Sequence, residues 1–203
     1  MTFIVGIAGG SASGKSAVAD GIAAGLGDVS VLRVAHDRYY LPVPEGVDPA
    51  EHNYDEPLAL GTSALAEHLE GLRAGRTVEL PRYDFTRHQR ATGVDAVAPA
   101  DVILVEGLFV LTAPELQHLL DLRLYLDVPD DVRLARRVMR DVAERGRDTV
   151  GVVQQYLDTV RPMHDVHVAP ARRVADWVLD GTAPLVDVVQ RAVQVIQQGL
   201  AAS

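Results

Sequence analysis

Two kinds of apolar pattern alternate along this chain. Continuous apolar runs at 3–8 (FIVGIA), 29–35 (VSVLRVA), 101–106 (DVILVE), 122–128 (LRLYLDV) and 174–180 (VADWVLD) have the length and β-branched content of strands buried on both faces. Between them the apolar residues recur at helical spacing. AVADGIAAGL follows the first run, and Leu58, Leu65, Leu69 and Leu72 trace a helix over 58–73 that Gly75 stops. A short helix is expected over 114–120. In the next, Leu134, Val138 and Val142 form an i, i+4 apolar stripe and Arg133, Arg137 and Arg140 another face. Helix is expected again from 150 to about 160, broken at Pro162 and Pro170, and over 184–200. Trp177 and the valines around it read as core.

Two stretches depart from this alternation. Residues 41–57, LPVPEGVDPAEHNYDEP, lack periodicity and read as a long ordered loop. Thr77–Leu80 alternates like a half-buried strand that VDAVAP at 94–99 can pair, with PRYDFTRHQRATG as the connection. No repeat or linker interrupts the pattern. The expectation is a single α/β domain over 1–203, its sheet mainly parallel and covered by helices on both faces.

Composition narrows the chemistry. With 203 residues and 48% hydrophobic content the chain can bury a core, and a net charge of −9 argues against general affinity for nucleic acid or anionic membrane. The absence of cysteine removes disulfides, thiolate catalysis and cysteine-ligated metals. No membrane span is expected, and the glycine-rich N-terminus has no basic leader, so the cytoplasm is the expected location.

The first apolar run empties into Gly9-Gly10-Ser11-Ala12-Ser13-Gly14-Lys15-Ser16, which fits G-x-x-x-x-G-K-[ST] between a strand and a helix. Small residues let successive backbone N–H groups turn inward on phosphate oxygens. Lys15, the only lysine in the chain, is placed to reach the outer phosphates, and the Ser16 hydroxyl to ligate Mg²⁺. Asp37, just past the second strand, stands where open α/β sheets place ligands and is a candidate catalytic carboxylate. Glu106, ending the DVILVE strand, fits a second metal-supporting position, and Gly107 beside it allows close backbone approach. Six of the chain's 18 arginines fall between 133 and 147, a concentration that suggests a lid over 140–150 clamping phosphate charge.

Together GIAGGSASGKS, HDRYY, NYDEP, PRYDFTRHQR, EGLFVL and RLARRVMRDVAERGRD, in this order, resemble the uridine kinase (uridine–cytidine kinase) family of P-loop kinases. QQYLDTVRPMHDVHVAPARRVADWVL continues the resemblance, which covers residues 3–180. It implies a P-loop NTPase-type fold with a β-hairpin at 76–99 over the acceptor site. It also implies transfer of the γ-phosphate of ATP, or of GTP, with Mg²⁺, to the 5′-hydroxyl of uridine or cytidine. Asp37 then matches the base, Ser16 and Glu106 the metal positions, and Asp55 and Arg137 the ribose contacts. Tyr83, His88, Arg147 and Gln155 match the pyrimidine pocket, with Tyr54 and Phe85 as aromatic walls. Arg140 and Arg145 match lid residues on the triphosphate. Assembly as a tetramer is implied by resemblance alone.

Three positions depart from that pattern: Arg38 replaces a small serine after the base, Glu56 a histidine after Asp55, and the GTAPLVDVV stretch after Asp180 lacks an asparagine. A kinase acting on another small hydroxyl acceptor, of phosphoribulokinase or pantothenate kinase type, is the alternative. Aromatics and an imidazole at 83–88 suit a flat base better than a phosphorylated acceptor. A non-catalytic nucleotide-binding switch is the remaining reading; the missing second lysine removes the N-K-x-D guanine-reading motif.

Overall fold

β1 (Phe3–Ala8) is the central strand of a five-stranded, wholly parallel sheet in the computed structural model, which describes residues 2–48, 52–84 and 89–202. The order is β2-β5-β1-β6-β7, with β2 at Val31–Ala35, β5 at Val102–Glu106, β6 at Leu122–Asp127 and β7 at Trp177–Asp180. All five strands fall within the apolar runs of the sequence. The expected fold class, a P-loop-type parallel sheet with helices on both faces, is the one observed.

One face carries α1 (Lys15–Gly25) and the C-terminal helix α7 (Leu185–Ala202), whose Val18, Ile22, Ala192, Val195 and Ile196 pack on Val5, Ile7 and Leu124. A Cβ at Gly21 would stand 2.4 Å from Val189, so the missing side chain lets these two helices close on each other. The opposite face is covered by α2 (Thr62–Arg73) and α3 (Pro114–Gln117), with Leu65, Leu69, Leu72 and Leu116 against Ile4, Ile103 and Phe109. Two continuous apolar layers therefore sandwich the sheet, as strands without polar alternation require.

A separate antiparallel hairpin, β3 (Val78–Asp84) with β4 (Gln89–Val97), leans on the second layer through the buried Leu80. Both strands run further into PRYDFTRHQRATG than the alternation suggested. Pro81, which cannot donate to a ladder, falls where the register shifts, and Gly93 at φ 87° takes up the slack opposite.

Three other expectations are corrected. Leu58 lies outside α2, in a short 3₁₀ turn at Pro57–Ala59, and is 85% exposed. Pro162 does not break its helix: α5 (Thr149–Gln155) continues through wide turns on either side of α6 (Arg161–Met163), with Arg161 N–H donating five residues back to Tyr156 O. Widening the turn accommodates the proline without ending the helix. Trp177 is not core; it is 37% exposed at an edge strand, with the Arg191 guanidinium 4.4 Å from its ring centre. No helix among the described residues is long and apolar enough to cross a membrane.

Candidate active site

Register decides what meets at the carboxyl edge of the sheet. Glu106, the last residue of β5, pairs with Ile7 on one side and Ala35 on the other, so the ends of β1, β5 and β2 lie level. The loop after β1, the turn after β2 and the Glu106 carboxylate thus share one crevice, as open parallel sheets place them.

The 9–14 loop curls as its composition predicts. Gly14 takes a left-handed φ of 98°, and Ala12, at φ 61°, is the one non-glycine with positive φ among the described residues. Held in that conformation, Ala12 stores about 1 kcal/mol of strain in the loop. Gly10 is obligatory for packing, because a Cβ there would stand 2.4 Å from the Arg133 guanidinium. Arg133, 1% exposed, is itself fixed by Val128 O at 3.1 Å and by Asp130, so it forms the floor under the loop. Lys15 Nζ donates to Gly9 O at 3.0 Å and Gly10 O at 3.1 Å. Burial lowers the pKa of its ammonium, opposed by the Glu106 and Asp37 carboxylates.

Ser16 Oγ donates to Glu106 Oε1 at 2.7 Å. A hydroxyl and a carboxylate are hard oxygen donors that fit Mg²⁺, which is held by few protein ligands alongside phosphate and water oxygens. Among the described residues no cluster of three or more acidic or imidazole groups competes with them as a metal site.

Asp37 follows β2 in a 3₁₀ turn, His36–Tyr39, and its Oδ1 is buried without a hydrogen-bond partner. Burial pushes the carboxyl up to about 6, helped by Glu106 and opposed by Lys15. His36 beneath it is fully buried, 3.1 Å from Thr62 Oγ1 through Nε2, and burial holds it near 4, hence neutral. Gly107 gives the close approach expected of it, since a Cβ there would stand 2.5 Å from His36 Cβ.

The arginine cluster is inverted relative to its periodicity. α4 (Asp130–Arg145) buries Arg133, Arg137 and Asp141, spaced i, i+4, i+8, whereas Val142 is exposed and Leu134 and Val138 are half-buried. Arg137 donates to Ser11 Oγ at 2.8 Å and to Gln155 Oε1 at 2.8 Å, and Arg147 reaches the same Gln155 oxygen at 2.8 Å. Asp141, fully buried, gathers Arg140 at 2.8 Å, Arg145 and Arg147 at 3.5 Å and Arg137 at 3.6 Å.

Across the cavity stand three tyrosines. Tyr40 packs on Tyr54 at 5.5 Å, nearly edge-on, and on Tyr83 at 5.3 Å. Burial raises the pKa of the Asp55 carboxyl, and the Arg137 guanidinium pulls it back. One cavity of about 400 Å³ is lined by loop residues Ser11, Ala12, Gly14, Lys15 and Ser16, and by Asp37, Tyr54, Asp55, Tyr83 and Glu106. Arg137, Arg140, Arg145, Arg147 and Gln155 line it as well, together with Ala17, Tyr40, Leu108 and Arg136. Gly9, Gly10 and Ser13 belong to the same loop but do not line it; Phe85 and His88 lie outside the described residues. Glu56 is exposed and Arg38 turns to the hairpin, so neither departure from the family pattern enters the cavity.

Sequence reasoning missed Asp141, Arg133 and Tyr40. The i, i+4 spacing of Arg137 and Asp141 was a readable signal; nothing in the sequence marked Arg133 as the floor of the loop.

Comparison with known proteins places the chain among relatives. The profile of the "Phosphoribulokinase / Uridine kinase family" matches residues 4–188. A uridine kinase of Chloroflexus aggregans is 43% identical over 183 residues, 88% of this chain and 86% of that protein. One of Geobacillus kaustophilus is 42% identical over 181 residues, 87% and 84% of the two chains. The solved phosphoribulokinase of Rhodobacter spheroides, 15% identical, superposes with a TM-score of 0.63 over 91% of this chain and 74% of its own, a likeness of fold. On these matches, and on a strand-loop-helix cradle that faces Asp37 across one crevice, the chain belongs to the phosphoribulokinase / uridine kinase family.

Proposed function

We propose that this protein is a uridine/cytidine kinase that transfers the γ-phosphate of ATP to the nucleoside 5′-hydroxyl, giving UMP or CMP. The observation that carries the reading is the single cavity joining the 9–16 loop to the tyrosine wall, with the half-buried Asp37 lining it between them. A cavity of about 400 Å³ falls within the range that encloses small-molecule substrates.

Asp37 accepts the 5′-hydroxyl proton as that oxygen forms its bond to the γ-phosphorus and the bond to the β,γ-bridging oxygen breaks, releasing ADP. Phosphoryl transfer is loose and dominated by positioning, so a carboxylate of modest basicity suffices. Loop amides from Gly9 to Gly14 and the α1 N-terminus hold the donor phosphates, Lys15 exchanging its carbonyl partners for phosphate oxygens. Arg140 and Arg145 stabilise charge on the transferring group. Ser16 and Glu106 would hold Mg²⁺, which when bound neutralises charge on the donor phosphates. Asp55 and Arg137 meet the ribose hydroxyls; Tyr54, Tyr83, Arg147 and Gln155 meet the base, together with Phe85 and His88. In this reading 140–150 is the lid and 76–99 the nucleoside-binding hairpin of one catalytic domain, working in the cytoplasm as a homo-oligomer.

A coupled assay with ATP and GTP as donors, across uridine, cytidine, ribulose 5-phosphate and pantothenate, tests it. Turnover of a pyrimidine nucleoside is expected; turnover confined to another acceptor would overturn the reading.

A further inference from the structure

The turn that carries Asp37 also carries Arg38, whose side chain points the opposite way. Its Nε donates to Pro81 O at 2.8 Å, and its Nη2 pairs with Asp95, so one guanidinium holds both strands of the hairpin. Pro81 lies where the β3–β4 register shifts, and Arg38 engages the hairpin at that irregularity. Asp95 is held from its other side by Arg82 at 2.7 Å, a pair internal to the hairpin. Beside this, Arg90 of β4 reaches Tyr40 O at 3.4 Å, and the Tyr40 ring packs on Tyr83.

A two-stranded hairpin is marginal alone. This one is tied down at mid-length, where the buried Leu80 pairs with Asp95 and Arg38 grips Pro81 and Asp95 beside it, while the distal half beyond the register shift rests on the Arg90 and Tyr40 contacts. A planar fork satisfies two acceptors on different strands at once, which a flexible ammonium cannot do equally well.

Resting on the functional reading above, we propose that Arg38 is a positioning residue: by clamping Pro81 and Asp95 it sets the distance between Asp37 and the Tyr83 wall, and so the affinity for the nucleoside. The clamp acts on the acceptor side alone. Donor phosphates bind on the far side of Asp37, against elements that Arg38 does not touch.

The test uses the purified full chain. Arg38→Ser and Asp95→Asn each raise the KM for uridine about tenfold, the scale of a lost charge-assisted bond, while the KM for ATP and kcat stay within about twofold. Amide hydrogen exchange across 78–84 and 89–97 accelerates in both variants. Combining them costs no more than the worse single change, because both break one contact. Arg38→Lys recovers part of the loss through Asp95, and Arg82→Ala, which spares the clamp, leaves the uridine KM unmoved. Unchanged exchange with unchanged uridine KM overturns the proposal, as does an equal loss in the KM for ATP and in kcat. Should the unaltered protein phosphorylate neither pyrimidine nucleoside, the functional reading fails by itself, and hairpin exchange in Arg38→Ser still decides whether the clamp exists.

Discussion

The Ser16 hydroxyl and the Glu106 carboxylate meet at 2.7 Å across a sequence separation of 90 residues, because the register of β1 against β5 brings the start of α1 level with the end of β5. Each is an oxygen donor to a hard cation, and each orients the other. Ser16→Ala should raise the Mg²⁺ concentration for half-maximal rate about tenfold. At saturating Mg²⁺ the uridine KM should change little. Initial rates against free Mg²⁺ check this; an unaltered metal dependence would remove Ser16 from that role.

Asp37→Asn should separate chemistry from stability. Turnover should fall by about 10²–10⁴, the scale of a lost general base, with nucleotide binding retained. The same change should stabilise the fold at pH 7 by about 1–3 kcal/mol, because it removes a carboxylate that burial and Glu106 disfavour in its charged form. Stopped assays, nucleotide titration and denaturant melts of the two proteins measure the three quantities. A variant that turns over normally would not have lost its base.

The pH dependence follows from the same group. The native carboxyl titrates near 6 rather than at its ordinary 3.8, so between those values the folded state binds more protons than the unfolded chain. Asp37 therefore favours folding fully below about pH 4, and this contribution is lost as pH rises through about 6. Activity runs the other way: kcat/KM should fall about tenfold per pH unit below pH 6 as the base is protonated. The advantage of Asp37→Asn in stability should shrink between pH 7 and pH 5. Melts and rate profiles across pH 4.5–8 give both curves, and an acidic limb centred well away from 6 would point to another group.

Asp141 is the common partner of four arginines and is itself out of contact with solvent. Asp141→Asn leaves Arg137 buried beside a neutral amide, which should cost about 2–4 kcal/mol. It should also raise the KM for ATP more than that for uridine, since Arg140 and Arg145 lose the anchor that aims them. Melting and a KM comparison check this. Equal stability with an unchanged ATP KM would mean that the arginines hold their places without it.

The strands were legible because buried parallel strands are continuous apolar runs, and the loop at 9–16 because phosphate binding needs small residues at fixed spacing. Periodicity shows that α4 has two faces but not which is turned inward; there the polar face lines a cavity, so Leu134 and Val142 pointed the wrong way. Trp177 read as core from its composition, yet its strand ends the sheet. Pro162 read as a breaker because the rule assumes an α-helical turn, and a wider turn lifts the clash. Asp37 and Glu106 were legible from their places at strand ends and the arginines from their concentration over 133–147, whereas the ribose-side pairing of Asp55 with Arg137 came through resemblance, since spacing alone does not say which distant groups share a crevice.

Because every other cationic side chain is a guanidinium, Lys15 is the one ε-amine of the protein. Its remaining 9% exposure is onto the cavity that it lines, so a reagent reaches it there, and burial shifts its ammonium toward the neutral, nucleophilic form. Apart from the chain's α-amine, acylating labels and amine-directed crosslinkers thus report on a single address. Occlusion of that address by nucleotide can be read as protection in an intact-mass spectrum, without a radioactive donor or a coupled reaction.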